Sequence, residues 1–163
     1  MKDIIQIVFV CLGNICRSPL AQGIFEKKIK EKNLEDKFVI DSAGTSGWHD
    51  GEPPHPGSVQ IAKEYGAHIQ HQKSRPVHMK DKDIFDYFIA MDQNNANTLH
   101  TEFAVPKEKI YKLREFDKID PGSDVMDPFG YGPDAFDDVY KVIERSVEGF
   151  IKFLQKKHPT LLK

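Results

Sequence analysis

The chain has 163 residues and a formal net charge of −2, with 39% hydrophobic and 29% charged residues. This length and balance are typical of a globular protein with a substantial core and exclude global disorder, so we expect a single domain over residues 1–163. The slightly acidic total lacks the basic excess of a nucleic-acid-binding surface, so we expect no nucleic-acid partner.

The first apolar segment, residues 4–10, is too short to span a membrane and lacks the small-residue cleavage site of a signal peptide. The chain has two cysteines, which do not make a disulfide framework. These features predict a cytoplasmic protein without a membrane partner.

The chain begins with a strand-to-helix unit. Ile4–Val10 is rich in β-branched residues and predicts a buried strand. Ser18 is a suitable N-cap for the helix that follows, and Pro19 suits its first position. Apolar residues then recur at helical spacing until Asn33, which predicts the end of this helix.

Strands and helices alternate along the rest of the chain. Further strands are predicted at Phe38–Ile40, Tyr87–Met91 and Ile110–Leu113. Helices are predicted over Val59–Tyr65, in a short segment after Asp92, and from Phe136 to Leu154. This alternation predicts an α/β fold, a single-domain three-layer α/β/α architecture with a central four-stranded parallel sheet. Ligands of such sheets bind beyond the carboxyl ends of the strands, where residues 11–18 lie.

The segment "VFVCLGNICRSPLA", residues 8–21, predicts a phosphate site. A loop that enters a helix presents unpaired backbone N–H groups at the positive end of the helix dipole. Gly13 permits a tight turn, Asn14 tolerates the left-handed conformation, and the planar fork of Arg17 can hold two phosphate oxygens. The same field favours the thiolate of Cys11 and makes it a nucleophile. We expect phosphate to be bound by Leu12, Gly13, Asn14, Ile15, Cys16, Arg17 and Ser18.

Two other readings of this loop fail on spacing. A Walker-type nucleotide site needs G-x4-G-K-[ST], which is absent. Zinc binding is disfavoured because Cys11 and Cys16 do not form a C-x2-C pair and no second cysteine pair exists, so we predict no metal site. A structural cysteine with a surface arginine is the remaining alternative, and it does not account for C-x5-R-S-P between a strand and a helix.

The loop resembles that of a known family of enzymes. The segment "CLGNICRSP" is similar to the phosphate loop of the low-molecular-weight protein tyrosine phosphatases. The resemblance continues through "DSAGT" at 41–45, Trp48, His71, "AMD" at 90–92 and "DP" at 127–128, and so covers nearly the whole chain.

The resemblance implies a two-step reaction without a cofactor. Cys11 attacks phosphorus and becomes a phosphocysteine, while Asp127 protonates the leaving phenolate and then activates water as a base. Asp127 lies in an acidic stretch, Glu115–Asp138, with eight acidic residues. The residue chemistry alone leaves Asp124 and Asp127 both open, and the match to "DP" selects Asp127.

The family pattern also implies supporting residues. Ser18 would stabilise the thiolate as a leaving group, and Asn14, Ser42 and His71 would form a hydrogen-bond network that shapes the loop. Asp92 matches a family position, although capping of the next helix is an equally suitable role. Cys16 would form a reversible disulfide with Cys11, and simple packing beneath the loop is its alternative role.

The expected substrate pocket is apolar. Leu12, Ile15 and Trp48 would line its rim, and Phe129 would supply one aromatic wall. Many family members carry a second aromatic residue next, where this chain has Gly130. We therefore hypothesise that Tyr131 supplies the second wall.

The prediction is a monomeric phosphatase that acts on phosphotyrosine in a protein or peptide and binds phosphate or other oxyanions as ligands or inhibitors. The "DPFG" segment also resembles the bacterial protein arginine phosphatases, which typically carry threonine where this loop has Ile15.

Arsenate reduction is disfavoured because no cysteine is available beyond Cys16. A non-enzymatic phosphate-binding or phosphocarrier module is a further alternative, which an intact Asp127 argues against.

Overall fold

Residues 3–163 are described by a computed structural model, and their centre is a four-stranded parallel sheet. Its strands are β1 (Ile5–Cys11), β2 (Phe38–Gly44), β3 (Tyr87–Ala90) and β4 (Ile110–Lys112), in the order β2-β1-β3-β4. This confirms the predicted fold class. β2 is longer than predicted because its second half, residues 41–44, pairs with residues 8–11 of β1.

Helices cover both faces of the sheet. They are α1 (Arg17–Glu31), α2 (Pro56–Glu64), α3 (Asp81–Ile84), α4 (Gln93–Phe103) and α5 (Pro133–Lys157), and short 3-10 turns lie at Glu35–Lys37, Lys107–Lys109 and Leu113–Phe116. Side chains of β1 alternate between the two faces, as those of any strand do. Ile7 and Phe9 join the core formed with α1 and α5, whereas Val8 and Val10 join the core formed with α4. Because both faces of the sheet are buried at β1, the sequence of this strand is almost continuously apolar. No helix within residues 3–163 is long and apolar enough to cross a membrane.

The start of α1 differs from the prediction. The helix begins at Arg17, and Cys16 occupies the N-cap position without a side-chain hydrogen bond to the helix. Ser18 lies inside the first turn, so its prediction as the N-cap was wrong. Its hydroxyl is thereby free to serve a partner outside the helix backbone.

The topology brings the carboxyl ends of β1, β2 and β3 together. The strand order reverses at β1, which is the position where open α/β sheets leave a crevice for ligands. Gly44, the last residue of β2, permits a close approach there. A Cβ atom at Gly44 would lie 2.8 Å from the carbonyl oxygen of Leu12 and 3.2 Å from the backbone nitrogen of Asn14. The loop after β1 therefore packs directly on the end of β2.

Candidate active site

The loop between β1 and α1 turns its carbonyl groups away from its own centre. The surrounding chain supplies a donor for each of five of them. The donor–acceptor pairs are Thr45 N to Cys11 O, Ser46 N to Leu12 O, Ser74 Oγ to Gly13 O, His55 N to Ile15 O, and Ser58 Oγ to Cys16 O. Because these carbonyls are satisfied from outside, the N–H groups of the loop are left to face inward. This is the backbone arrangement that an anion requires.

The Cys11 sulfur lies at the centre of this loop, at the end of β1. Its side chain is buried, and its Sγ is 3.0 Å from the Ser18 hydroxyl oxygen and 3.3 Å from the backbone nitrogen of Asn14, which donates to it. The Asn14 amide also donates to the Ser18 oxygen at 2.8 Å, which leaves the Ser18 proton free to point at the sulfur. Two donors can thus converge on the Cys11 sulfur.

Asn14 organises the loop from within. Its backbone adopts the left-handed conformation, with a φ of 57°, as its residue type permits. Its side-chain amide donates to the hydroxyls of Ser18 and Ser42, and its Oδ1 accepts from the backbone nitrogen of Arg75 at 3.0 Å. Asn14 therefore ties β1, β2, α1 and the segment before α3 into one network.

The prediction for His71 was wrong. Its side chain is exposed, and no hydrogen bond within residues 3–163 joins it to Asn14 or Ser42. The Ser42 hydroxyl instead donates to Gln22 Oε1 at 2.7 Å. The sequence carries a signal for Gln22, because it lies four residues after Ser18 and so shares its face of α1.

Arg17 is held on one side and open on the other. Its Nη1 donates to Asp92 at 2.7 Å and to the Val125 carbonyl at 3.0 Å. Burial lowers the pKa of the guanidinium, but the negative charges of Cys11, Asp92 and Asp127 outweigh burial and raise the pKa overall. The Nε atom is buried and has no hydrogen-bond partner among the residues that the structure describes. Arg17 therefore keeps a donor edge for an anion.

Asp92 caps α4, the role that its sequence pattern suggested, and it also holds Arg17. Its Oδ1 accepts from the backbone nitrogen of Asn95 and caps α4, while its Oδ2 accepts from Arg17. One carboxylate thereby orients the arginine and begins a helix.

Asp127 and Asp124 lie in different environments. Asp127 is half-exposed, and its Oδ2 is 3.7 Å from Arg17 Nη2. Asp124 is engaged elsewhere, since it pairs with Lys112 at 2.8 Å and accepts from the backbone nitrogen of Gln93. The hydrogen bond from Lys112 is the main cause of the lowered pKa of Asp124. The structure thus brings Asp127, and not Asp124, beside the loop.

Cys16 is chemically distinct from Cys11. It lies buried under the loop, and burial, reinforced by the charge of Cys11, raises the pKa of its thiol to about 12. Cys16 is therefore a neutral thiol at physiological pH and not a competing nucleophile.

The loop opens into a pocket of about 260 Å³. The lining residues are Cys11, Leu12, Gly13, Ile15, Cys16, Arg17, Trp48, His49, Asp127 and Phe129. Trp48 and Phe129 are 81% and 55% exposed, so their rings stand at the mouth and supply two aromatic walls. His49 was missed by the sequence reasoning, because nothing in its neighbourhood marks it out among seven histidines.

The hypothesis for Tyr131 was wrong. Its side chain does not line this pocket and lies in a neighbouring one with His55 and Phe136. Trp48, which precedes α2, supplies the second aromatic wall instead. Tyr131 follows the turn at Gly130 and lies outside the mouth of the pocket. Gly130 adopts a φ of 86°, which favours glycine.

A nucleophilic sulfur, a buried arginine and a half-exposed carboxyl group thus meet in one pocket. Within residues 3–163, no group of three or more histidine, cysteine or acidic side chains is placed to hold a metal ion. The groups that the described chain offers for chemistry at this site are Cys11, Arg17 and Asp127.

Comparison with known proteins agrees with this geometry. The model of the low molecular weight phosphotyrosine protein phosphatase family matches residues 6–160. A relative in Bacillus subtilis, the low molecular weight protein-tyrosine-phosphatase YfkJ, is 38% identical over 94% of this chain and 97% of its own. The crystal structure of YfkJ superposes with a TM-score of 0.88, covering 94% of this chain and 96% of that one. A protein tyrosine phosphatase from Entamoeba histolytica with Hepes in its active site is 34% identical, with a TM-score of 0.87 over 94% of this chain and 98% of its own. The YwlE arginine phosphatase is 26% identical, with a TM-score of 0.85 over 95% of this chain and 99% of its own.

Proposed function

The chain belongs to the low molecular weight phosphotyrosine protein phosphatase family, and on this premise we propose that it hydrolyses phosphotyrosine in proteins or peptides through a phosphocysteine on Cys11. It is a cysteine-dependent phosphatase. The observation that carries the assignment of the site is the juxtaposition of the Cys11 sulfur with the unpartnered Nε of Arg17 in one pocket.

In the first step, the thiolate of Cys11 attacks phosphorus in line with the ester oxygen. An S–P bond forms and the P–O bond to the tyrosine ring breaks. The Nε and Nη2 atoms of Arg17 hold two phosphoryl oxygens, and the inward N–H groups of the loop hold the third. The proton of the Asp127 carboxyl passes to the leaving phenolate, so that neutral tyrosine departs.

In the second step, a water molecule attacks the phosphocysteine. Asp127, now a carboxylate, accepts a proton from this water, and the S–P bond breaks to release phosphate and the thiolate. The hydroxyl of Ser18, 3.0 Å from the sulfur, stabilises the departing negative charge. The protein is thereby returned to its starting state without a cofactor.

The pocket favours an aryl ester. Ile15 lies in its wall without a hydroxyl group, and Trp48 and Phe129 can stack against a phenyl ring. Inorganic phosphate and other oxyanions would occupy the same loop as inhibitors. We further propose that the protein acts as a monomer in the cytoplasm.

The test is phosphate release from matched phosphotyrosine and phosphoarginine peptides, with a chelator present. We expect turnover of phosphotyrosine that is lost in Cys11→Ser. Faster turnover of phosphoarginine would overturn the substrate assignment, whereas an active Cys11→Ser variant would overturn the mechanism. An Ile15→Thr variant tests the pocket argument, because it introduces a hydroxyl and should reduce the preference for phosphotyrosine.

A further inference from the structure

A second cavity of about 260 Å³ lies beside the active-site pocket, and the mechanism does not use it. We call it the flanking pocket. Its lining residues are His55, Gly57, Gln60, Ile61, Glu64, Tyr131, Gly132, Pro133 and Phe136. They come from α2, from the segment after Asp127 and from the start of α5.

One aromatic wall separates the two pockets. The ring of Phe129, which lines the active-site pocket, meets His55 edge-on with the ring centroids 5.6 Å apart. His55 in turn stacks on Phe136 at 5.0 Å and donates its backbone N–H to Ile15 of the phosphate loop at 2.7 Å. The flanking pocket therefore begins one ring beyond the substrate ring. An extended peptide advances by about 3.3 Å per residue, so a side chain one to three positions from the phosphotyrosine reaches it.

The chemistry of the flanking pocket is apolar with one charge. Tyr131 and Pro133 are exposed apolar surfaces at its edge, over a floor of Ile61 and Phe136. Glu64 lies at the rim and is exposed, and its side chain has no hydrogen bond or ion pair to any other residue within 3–163.

The nearby acidic side chain of Asp137 is already occupied. It accepts from the hydroxyl of Tyr65 and pairs with Lys141 at 3.0 Å. Glu64 is thus the acidic side chain of this pocket that is left for a ligand. A long aliphatic stem that ends in a cation matches this combination, since the stem covers apolar surface while the head reaches the carboxylate. The exposed ring of Tyr131 also offers its face to a cation.

We propose that the flanking pocket binds a lysine or arginine side chain of the substrate, within three residues of the phosphotyrosine. This inference rests on the proposed function and adds to it a substrate class, in which the phosphorylated tyrosine has a basic neighbour. The phosphate binds at Arg17, and the opposite charge of the substrate binds at Glu64.

The test uses phosphotyrosine peptides that carry arginine at one flanking position, on either side and up to three residues away. The matched peptides carry citrulline, which has the same shape without the charge. At low ionic strength we expect about a threefold higher kcat/KM for arginine over citrulline at one or more of these positions, as an exposed ion pair gives. Glu64→Gln should remove this ratio, and Glu64→Lys should reverse it in favour of peptides with glutamate at the same position.

Two controls separate the possible failures. Hydrolysis of p-nitrophenyl phosphate, which has no flanking residue, should be unchanged in both Glu64 variants, and Glu102→Gln on the exposed face of α4 should keep the preference for arginine. An equal kcat/KM for arginine and citrulline peptides in the wild type, or a preference that survives Glu64→Gln, would overturn the inference while leaving the proposed function intact. Absence of any phosphotyrosine turnover would overturn the proposed function itself.

Discussion

At the scale of single residues, Ser18 gives the most specific kinetic prediction. Its hydroxyl accepts from Asn14 and so directs its own proton to the Cys11 sulfur. A hydrogen bond to a charged group contributes about 1.5–3 kcal/mol, which predicts a roughly tenfold to hundredfold loss in Ser18→Ala. The loss should fall on hydrolysis of the phosphocysteine, because the thiolate departs in that step.

Rapid-mixing kinetics with p-nitrophenyl phosphate would detect this difference. We expect the initial burst of p-nitrophenol to persist in Ser18→Ala while the steady-state rate falls. Ser46→Ala is the matched control, since its hydroxyl donates to the Leu12 carbonyl at the exposed rim and not to the sulfur. If the rate constant of the burst and the steady-state rate fell by the same factor, Ser18 would act only on the shape of the loop.

The two neighbouring aspartates allow a paired test of the general acid. Asp127→Asn should lower kcat for phosphotyrosine by about 10²–10⁴-fold, the usual contribution of general acid–base catalysis. Asp124→Asn should have a much smaller effect, because Asp124 is bound to Lys112 and Gln93. The loss in Asp127→Asn should shrink for esters of more acidic phenols, whose anions depart without a proton. Equal losses in the two variants would refute the assignment.

The pair of Cys11 and Cys16 predicts a reversible response to peroxide. Oxidation of Cys11 gives a sulfenic acid and removes the negative charge that helps to raise the pKa of Cys16. The sulfur of Cys16 then attacks the sulfenic sulfur, its proton leaves with the hydroxide, and a disulfide and water form. We expect wild-type activity to return after dithiothreitol, with the disulfide visible by mass spectrometry before reduction. Cys16→Ser should lose activity irreversibly, because its sulfenic acid proceeds to sulfinic acid. Full recovery of Cys16→Ser would show that Cys16 only packs beneath the loop.

Sequence spacing predicts residues whose partners lie within one loop and fails for those whose partners lie elsewhere. Cys11, Asn14, Arg17 and Ser18 come together because they lie in one short segment between the end of β1 and the first turn of α1. His71 could not be assigned in the same way, because its distance from Asn14 depends on how a remote segment folds back.

At the scale of secondary-structure elements, α5 depends on a glycine that lets it approach the 3-10 turn after β4. A Cβ atom at Gly149 would overlap the backbone carbonyl of Phe116. Gly149→Ala gains about 1 kcal/mol of helix propensity. The overlap with rigid backbone costs about 1–3 kcal/mol or more, so the net effect is destabilising.

Thermal unfolding is the appropriate measurement for this substitution. We expect Gly149→Ala to lower Tm by several degrees, since about 1 kcal/mol corresponds to roughly 2–4 °C at this chain length. Lys152→Ala, on the exposed side of the same helix, should leave Tm nearly unchanged. An unchanged Tm in Gly149→Ala would show that α5 can shift away from Phe116 without cost.

Element boundaries show why Ser18 was misassigned. A serine before a proline has the pattern of an N-cap, and the apolar periodicity of α1 does not fix its first turn. The phosphate loop overrides this preference, since the first turn is aligned by Asn14 and the sulfur rather than by a cap. Asp92 is the N-cap that its sequence pattern predicts, because α4 begins shortly after the end of β3 without a phosphate loop between them.

At the scale of the whole molecule, alternation of apolar segments was sufficient to predict the parallel sheet. The order β2-β1-β3-β4 and the approach of the segment around Asp127 to Arg17 depend on contacts between distant segments. The spacing of apolar and polar residues within one segment contains no information on contacts between distant segments. The flanking pocket belongs to the same category, because α2 and the start of α5 meet only in the folded chain.

A buried ion network connects the middle of α5 to the segment that carries Asp127. Asp117 is buried, accepts two hydrogen bonds from Arg145 of α5 and is also held by Arg114. Arg114 donates in turn to the carbonyl of Asp124 at 3.0 Å. Burial alone would raise the pKa of Asp117, but the hydrogen bonds from Arg145, the Ile119 backbone and Arg114 hold it well below its ordinary value.

This network predicts how stability depends on pH. A carboxyl group whose pKa is depressed by folding contributes stability that is complete above its unfolded pKa of about 3.9 and is lost as pH falls through the folded value. Asp117→Asn should therefore cost about 3–5 kcal/mol at pH 7, the usual cost of breaking a buried ion pair. Below about pH 4 the difference from the wild type should narrow.

Urea unfolding at a series of pH values would measure both effects. Asp83→Asn is the matched control, because Asp83 is exposed and its one ion pair within residues 3–163 is with Lys82 at 3.5 Å. Its loss should therefore cost less than about 1 kcal/mol at every pH. A constant difference between Asp117→Asn and the wild type down to pH 2 would mean that packing, and not the carboxylate charge, is lost. Because Arg114 also holds the backbone at Asp124, Asp117→Asn should lower kcat at pH 7 even where the protein remains folded. Such a loss would link the middle of α5 to the position of Asp127.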